Sequence, residues 1–343
     1  MRSDLLSTAK SPLFGRIYMR DYKEETLPRV KRSAMSKTNL LLILIFTSIL
    51  SCGKTNQEEV DDALFHARQL LTGGRCAEAL EAIAKIPPQP RNADYLKISA
   101  SGHACIGGYS TPTFFLTDIS KVSASQTAFL GSLATFSTSN MTSNASEDYL
   151  SLKTAINILL LGGGISTSSY SNRTAALGSL DNNNLSVFAL YMILVELGKF
   201  MNYYGNANDT TGVKGGGSGL NECYMDYTDA TAQAGIALQG GDSCDVFNEG
   251  GAELNASRTR QCEGIVLFNN FIDIINNVTF SGSNSGSLGS LSTNVTSPCT
   301  PGATFNAETC NVKTFSECVD DTTNINNVQI ERFYGIIFEN MHI

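Results

Sequence analysis

Nine cysteines and three histidines are the residues of this 343-residue sequence that most readily hold metals or act as nucleophiles. Their spacing supports neither role. No two cysteines stand in the C-x-x-C order of zinc sites or thiol redox motifs, and His66, His103 and His342 are too few and too scattered to complete a metal shell. None of the three has a readable acid or nucleophile partner, so each reads as a surface or hydrogen-bonded histidine. The G-x-S-x-G and H-E-x-x-H orders are absent, the S-x-x-K match at Ser7 lies before the signal-like run around Leu40–Leu50, and the one at Ser51 fits only across the cleavage point expected before Cys52. Glu196 and Lys199 stand i, i+3 on one apolar helix and read as a structural ion pair. A catalytic or small-ligand reading would need a pocket of acids, for example Glu196 with Asp226 or Asp229. The expectation is no catalytic residue, no metal and no cofactor.

Cys52 differs from the other cysteines by what precedes it. Lys37 is followed by the apolar run Leu40-Leu41-Leu42-Ile43-Leu44-Ile45-Phe46, then Thr47-Ser48-Ile49-Leu50-Ser51-Cys52, which is the layout of a secretory signal. Leu40 to Leu50 spans roughly 16 Å as a helix, short of the roughly 20 apolar residues a bilayer core requires. Ile49-Leu50-Ser51-Cys52 resembles the lipobox of bacterial lipoproteins. The resemblance implies a diacylglycerol on the Cys52 thiol and, with Gly53 rather than an aspartate following, an outer-membrane anchor on the periplasmic or surface face. Residues 1–34 read as a mis-set start codon or a disordered extension, 35–51 as the signal peptide and 52–57 as a tether. Residues 1–51 hold nine basic and four acidic side chains, leaving 15 basic and 28 acidic, a net charge of −13. Such a chain is repelled by nucleic acid and by anionic lipid, so the membrane is reached through lipid alone and the expected partner is an envelope protein.

The remaining eight cysteines are an even set: Cys76, Cys105, Cys223, Cys244, Cys262, Cys299, Cys310 and Cys318. In an exported chain they read as structural disulfides, with 105 connectivities open. One pairing follows from geometry. Cys76 and Cys105 lie early and late on two helices joined through residues 87–91, and the midpoint of the pair falls inside that connection. Antiparallel helices then carry both at one level, within disulfide reach.

The elements that position these residues read as helices. In 58–109, Val60, Leu64, Ala67 and Leu70 recur at three and four residues, and Gly73-Gly74 closes the run. Ala79-Leu80, Ile83 and Ile86 form a second helix stopped by Pro87-Pro88, and 92–106 a third. Gly74 and Gly108 are 34 residues apart, with Leu64/Ile98 and Leu70/Ala104 at the same offset. This stretch resembles one and a half tetratricopeptide repeats, which implies a helical layer that binds peptides or partner proteins. Residues 110–343 read as an α-helical domain rich in Ser, Thr, Asn and Gly, with helices near 125–136, 145–161, 184–204, 221–238, 253–276 and 324–340. Long polar loops at 162–175, 205–219, 239–252 and 279–313 are expected to be tied by disulfides. The 205–219 loop lacks the phosphate-binding glycine order and the closing glutamate of calcium loops. Eight N-x-[ST] sequons reflect the Asn/Ser/Thr-rich composition. The fold class is mostly α, with repeat-like hairpins packed on an irregular helical domain. The function expected is a lipid-anchored binding or scaffolding protein, with a partnerless structural lipoprotein and an envelope hydrolase or small-ligand binder as the alternatives.

Overall fold

Val60, Leu64, Ala67 and Leu70 form the buried stripe of α1 (Asn56–Thr72) in a computed structural model that describes residues 56–123, 125–215, 223–236, 249–278 and 306–343. Gly74, at φ +71°, turns the chain in the left-handed region where a side chain would be strained, and the Arg75 amide donates to the Leu70 carbonyl at 2.9 Å. α2 (Cys76–Ile83) follows at once. α3 (Ala93–Ile106) starts where the Asn92 side chain accepts the Tyr95 amide at 3.0 Å. The three helices bury Val60, Leu64, Leu70, Ala79, Ile83 and Ile98 in a small core of their own. Cys76 and Cys105 are bridged across α2 and α3, with Cα atoms 5.7 Å apart.

The main core is built on one helix. After α4 (Phe129–Ala134), α5 (Glu147–Leu160) and α6 (Tyr170–Leu177) comes α7 (Ser179–Tyr204), 26 residues and about 39 Å long at 1.5 Å per residue. Apolar residues surround α7 rather than striping it, so it is buried on every side by α3, α4, α5, α6 and a later helix over Arg258–Asn277. Leu185, Leu190, Ile193, Leu194, Leu197, Phe200 and Met201 each keep 1% exposure or less, and each burial is worth about 1.5 to 3 kcal/mol. α7 is long and apolar enough to cross a membrane, but 78% of its apolar window is already covered by protein. α4 reaches α7 at Gly198, where a Cβ would collide with the Leu133 carbonyl oxygen and Ser139 Oγ.

The rest of the main core comes from α8 (Ala230–Gly235), α9 (Glu249–Ala256), α10 (Arg258–Asn277), α11 (Ala307–Asn311), α12 (Phe315–Asp320) and α13 (Asn327–Phe333). α13 widens into a π-helical turn over Tyr334–Phe338. Phe268 of α10 meets Phe333 and Phe338 with ring centroids 6.0 and 5.9 Å away. Every regular element among the described residues is helical.

Several expected boundaries differ. The helix expected over 221–238 is helical only over Ala230–Gly235 among the described residues, because Tyr224, Met225 and Tyr227 are buried from a non-helical segment. The one expected over 125–136 begins only at Phe129, and 253–276 is broken at Ser257 between α9 and α10. The expected 162–175 loop contains the start of α6, capped by Ser169, whose side chain accepts the Asn172 amide at 3.1 Å. The 279–313 loop, where described, holds α11. Cys262 and Cys318 are bridged with Cα atoms 5.7 Å apart and tie α10 to α12, two helices rather than a loop. Cys223 and Cys310 are also disulfide-bonded, and Cys244 and Cys299 lie outside the described residues.

Candidate functional site

Glu196 interrupts the apolar surface of α7 between Val195 and Leu197. It is 2% exposed, and neither carboxyl oxygen has a hydrogen-bond partner in the protein. The expected Glu196–Lys199 pair is not made. Lys199, also 2% exposed, turns to Asp148 in the first turn of α5, because on a helix buried all round the neighbouring helices compete with its own next turn. Burial pushes the Glu196 carboxyl well above the usual carboxylate range. Lys199 and Lys153 oppose that rise, and Glu263 and Asp148 add to it.

Glu196 faces a cavity of about 120 Å³ between α5, α7, α10 and α12. Its apolar walls are Ile156 and Leu160 of α5, Val266 and Leu267 of α10, and Phe315 of α12. The polar side holds Tyr149, Lys153, exposed Asn157, Glu263 and Asn270. Glu263, 5% exposed, pairs with Lys153 and with Arg260 at 2.9 Å, and the Tyr149 hydroxyl lies 3.4 Å away. Burial raises the Tyr149 phenol far above its ordinary range, so it is a neutral donor. Lys153, 32% exposed, stands at the mouth with its ammonium 5.0 Å from the centroid of the Phe315 ring. Asn270 is committed elsewhere, accepting from Ser168 at 2.7 Å and donating to the Lys313 carbonyl at 2.8 Å. The cavity therefore offers one carboxylate answered by two cations and one carboxyl answered by nothing. No serine, cysteine or histidine lies among the described residues that line it.

The acids expected beside Glu196 are elsewhere. Asp226 is exposed. Asp229 caps α8 and accepts from Nε and Nη2 of Arg332, at 2.9 and 3.1 Å, and that hydrogen-bonded contact holds its carboxyl below the usual range. The acid that does share the cavity, Glu263, was hidden because it sits i, i+3 from Arg260 and looks like an ordinary surface pair. A larger depression of about 650 Å³ beside the connection of α2 to α3 is open and lined by exposed polar residues including Asp94 and Asp181. Water screens such groups.

His66 is exposed and His103 is half-buried, with its imidazole pKa lowered by burial. His342 is wholly buried. Its Nε2 donates to the Gly212 carbonyl at 2.8 Å, which leaves Nδ1 to accept from the Tyr224 hydroxyl. Burial, and to a lesser degree Lys214, lowers its pKa to about 3. Glu339 beside it accepts the Tyr224 amide at 2.7 Å and the Tyr227 hydroxyl at 2.6 Å and pairs with Lys214. This is a satisfied structural network. So is the one around wholly buried Arg173, which donates to Asn182, Ser168 and the Leu160 carbonyl. Cys52 lies outside the described residues, and among those described no group of three or more His, Cys, Asp or Glu is placed to hold a metal. No protein-family model, no curated protein and no solved structure matches the chain.

Proposed function

We propose that this chain is an exported protein, lipid-anchored through Cys52 at the outer membrane, that acts by binding an envelope partner rather than by catalysis. The observation that carries the reading is the oxidised state of the cysteines. Cys76–Cys105 and Cys262–Cys318 are bridged, and Cys223 and Cys310 are bonded as well. Bridges this numerous persist in oxidising compartments and are rare in the cytosol. The signal-like run ending at Cys52 supports the same address, and the acidic balance after it argues against nucleic acid as the partner. The α1–α3 layer is the tetratricopeptide-like part of the proposal and the surface offered to a partner protein. On α1, Phe65 keeps 61% exposure beside exposed Asp61, Asp62 and Arg68. An aromatic side chain ringed by charge is the composition of a binding anchor.

The test is intact mass of the membrane-extracted protein with and without reduction, together with mapping of its amino-terminal peptide. The expected result is an acylated Cys52 and a gain of about eight daltons on reduction of four bridges. An unacylated amino terminus with free thiols overturns the address and the binding role built on it. Small-ligand binding is kept as a second reading because Glu196 faces a cavity without a partner.

A further inference from the structure

We propose that the cavity between α5, α7, α10 and α12 is a binding site for a short-chain monocarboxylate, with the Glu196 carboxyl donating to the ligand carboxylate and the apolar wall holding its alkyl tail. The proposal does not depend on the anchor at Cys52.

Three features of the cavity select this class. The first is the unanswered group. A carboxyl that is 2% exposed with both oxygens unpartnered forfeits hydrogen bonds that water would supply, so a polar group entering the cavity is rewarded there. The second is charge. The titratable groups that act on Glu196 are Asp148, Tyr149 and Lys153 on α5, Glu263 on α10 and Lys199 on α7, and Arg260 of α10 and Glu253 of α9 lie one contact further, beside Glu263 and Tyr204. Glu263 is matched by Lys153 and Arg260, and Asp148 by Lys199. With Glu196 protonated, the ion pairs made by Glu263 and Asp148 hold three cations, Lys153, Arg260 and Lys199, to two anions, so one negative charge balances those pairs. An ammonium ligand would raise the surplus, whereas a carboxylate cancels it. A protonated carboxyl facing a carboxylate also makes a charge-assisted O–H···O⁻ hydrogen bond, about twice as strong as a neutral one.

The third feature is size and polarity. An apolar cavity of about 150 Å³ takes benzene with its six carbons, so about 120 Å³ takes about five non-hydrogen atoms. Propionate has that number. Ile156, Leu160, Val266 and Leu267 offer its ethyl group an apolar wall in the same cavity as Glu196. Lys153 at the mouth draws the anion in and is exposed enough to swing aside.

The experiment is a propionate titration of the full oxidised chain carrying labelled Ile, Leu and Val methyl groups, followed by NMR. The expected result is saturable shifts confined to Ile156, Leu160, Val266 and Leu267. Affinity should fall by up to tenfold per pH unit above the Glu196 ionisation, because only the protonated carboxyl donates. Glu196→Gln keeps a donor, so it should retain binding and lose the pH dependence, and Glu196→Leu should weaken binding at least tenfold. Shifts that do not saturate, or none at all, would mean that the cavity holds only water and would overturn the proposal. So would equal binding of propylammonium, or an unchanged pH dependence in Glu196→Gln.

Discussion

Replacing Glu196 by leucine should make the protein more stable, and increasingly so as pH rises. The native carboxyl is buried without a hydrogen bond, a condition that costs about 1 to 3 kcal/mol, and leucine has similar bulk with nothing to satisfy. The pH term follows from the direction of the shift. In the unfolded chain the group ionises near 4.5, and in the folded protein burial keeps it protonated well above that. Below pH 4.5 both states hold the proton and pH has no effect through this group. Above it the unfolded state has released the proton and the folded state has not, so wild-type stability falls by about 1.4 kcal/mol per pH unit until the folded group ionises. Neither Glu196→Leu nor Glu196→Gln carries that slope. Urea unfolding of the oxidised proteins, followed by circular dichroism from pH 4 to 8 without added carboxylate, measures the difference between each variant and wild type. That difference should widen by about 1.4 kcal/mol per unit from pH 4.5 upward, and Glu196→Leu should start about 1 to 3 kcal/mol ahead. A pH-independent difference, or a less stable Glu196→Leu, would show that the carboxylate is ionised and held by a partner, and the reasoning would fail.

The His342 imidazole titrates in the opposite sense. Its folded pKa of about 3 lies below the usual 6.5, so stability is lost as pH falls from 6.5 towards 3, again at about 1.4 kcal/mol per unit, and a His342→Gln variant should flatten that acid limb in the same urea assay. Cys76→Ser paired with Cys105→Ser removes a bridge spanning 29 residues, which should cost about 3 to 4 kcal/mol and appear as faster amide exchange in α1–α3 before the main core is affected. Gly198→Ala drives a methyl group into the Leu133 carbonyl and should destabilise by about 1 to 3 kcal/mol, read as a lower thermal midpoint.

The helical class and the central position of α7 were legible because periodicity and all-round apolar character are local properties of the chain. The level of Cys76 and Cys105 was legible too, since it needs only two adjacent helices and the turn that joins them. What failed needed partners distant in sequence. Tyr224, Met225 and Tyr227 carry enough apolar surface to look helical, but they are drawn into the core by the Glu339 carboxylate more than 110 residues away. α6 escaped notice because the residue it buries is Arg173, a side chain expected in solvent and kept inside by Asn182, Ser168 and a backbone carbonyl. The cavity escaped for the same reason. Glu263 is 67 residues from Glu196, and only the packing of α10 against α7 brings them to one space.

The last stretch of the core carries a consequence for the order in which the protein assembles in the export proposed above. The Leu130 amide donates to the Met341 carbonyl, the Ile343 amide to the Thr127 carbonyl, and Met341 and His342 are wholly enclosed. On the export route proposed above, the main core therefore lacks its closing piece until residue 342 has emerged. The α1–α3 layer closes a small core and a short-range bridge of its own before that, while Leu96, Ala100 and Ala104 on the other face of α3 wait for the main core. Cys262 and Cys318 then remain open to an oxidase, or to wrong pairings, until late in the passage.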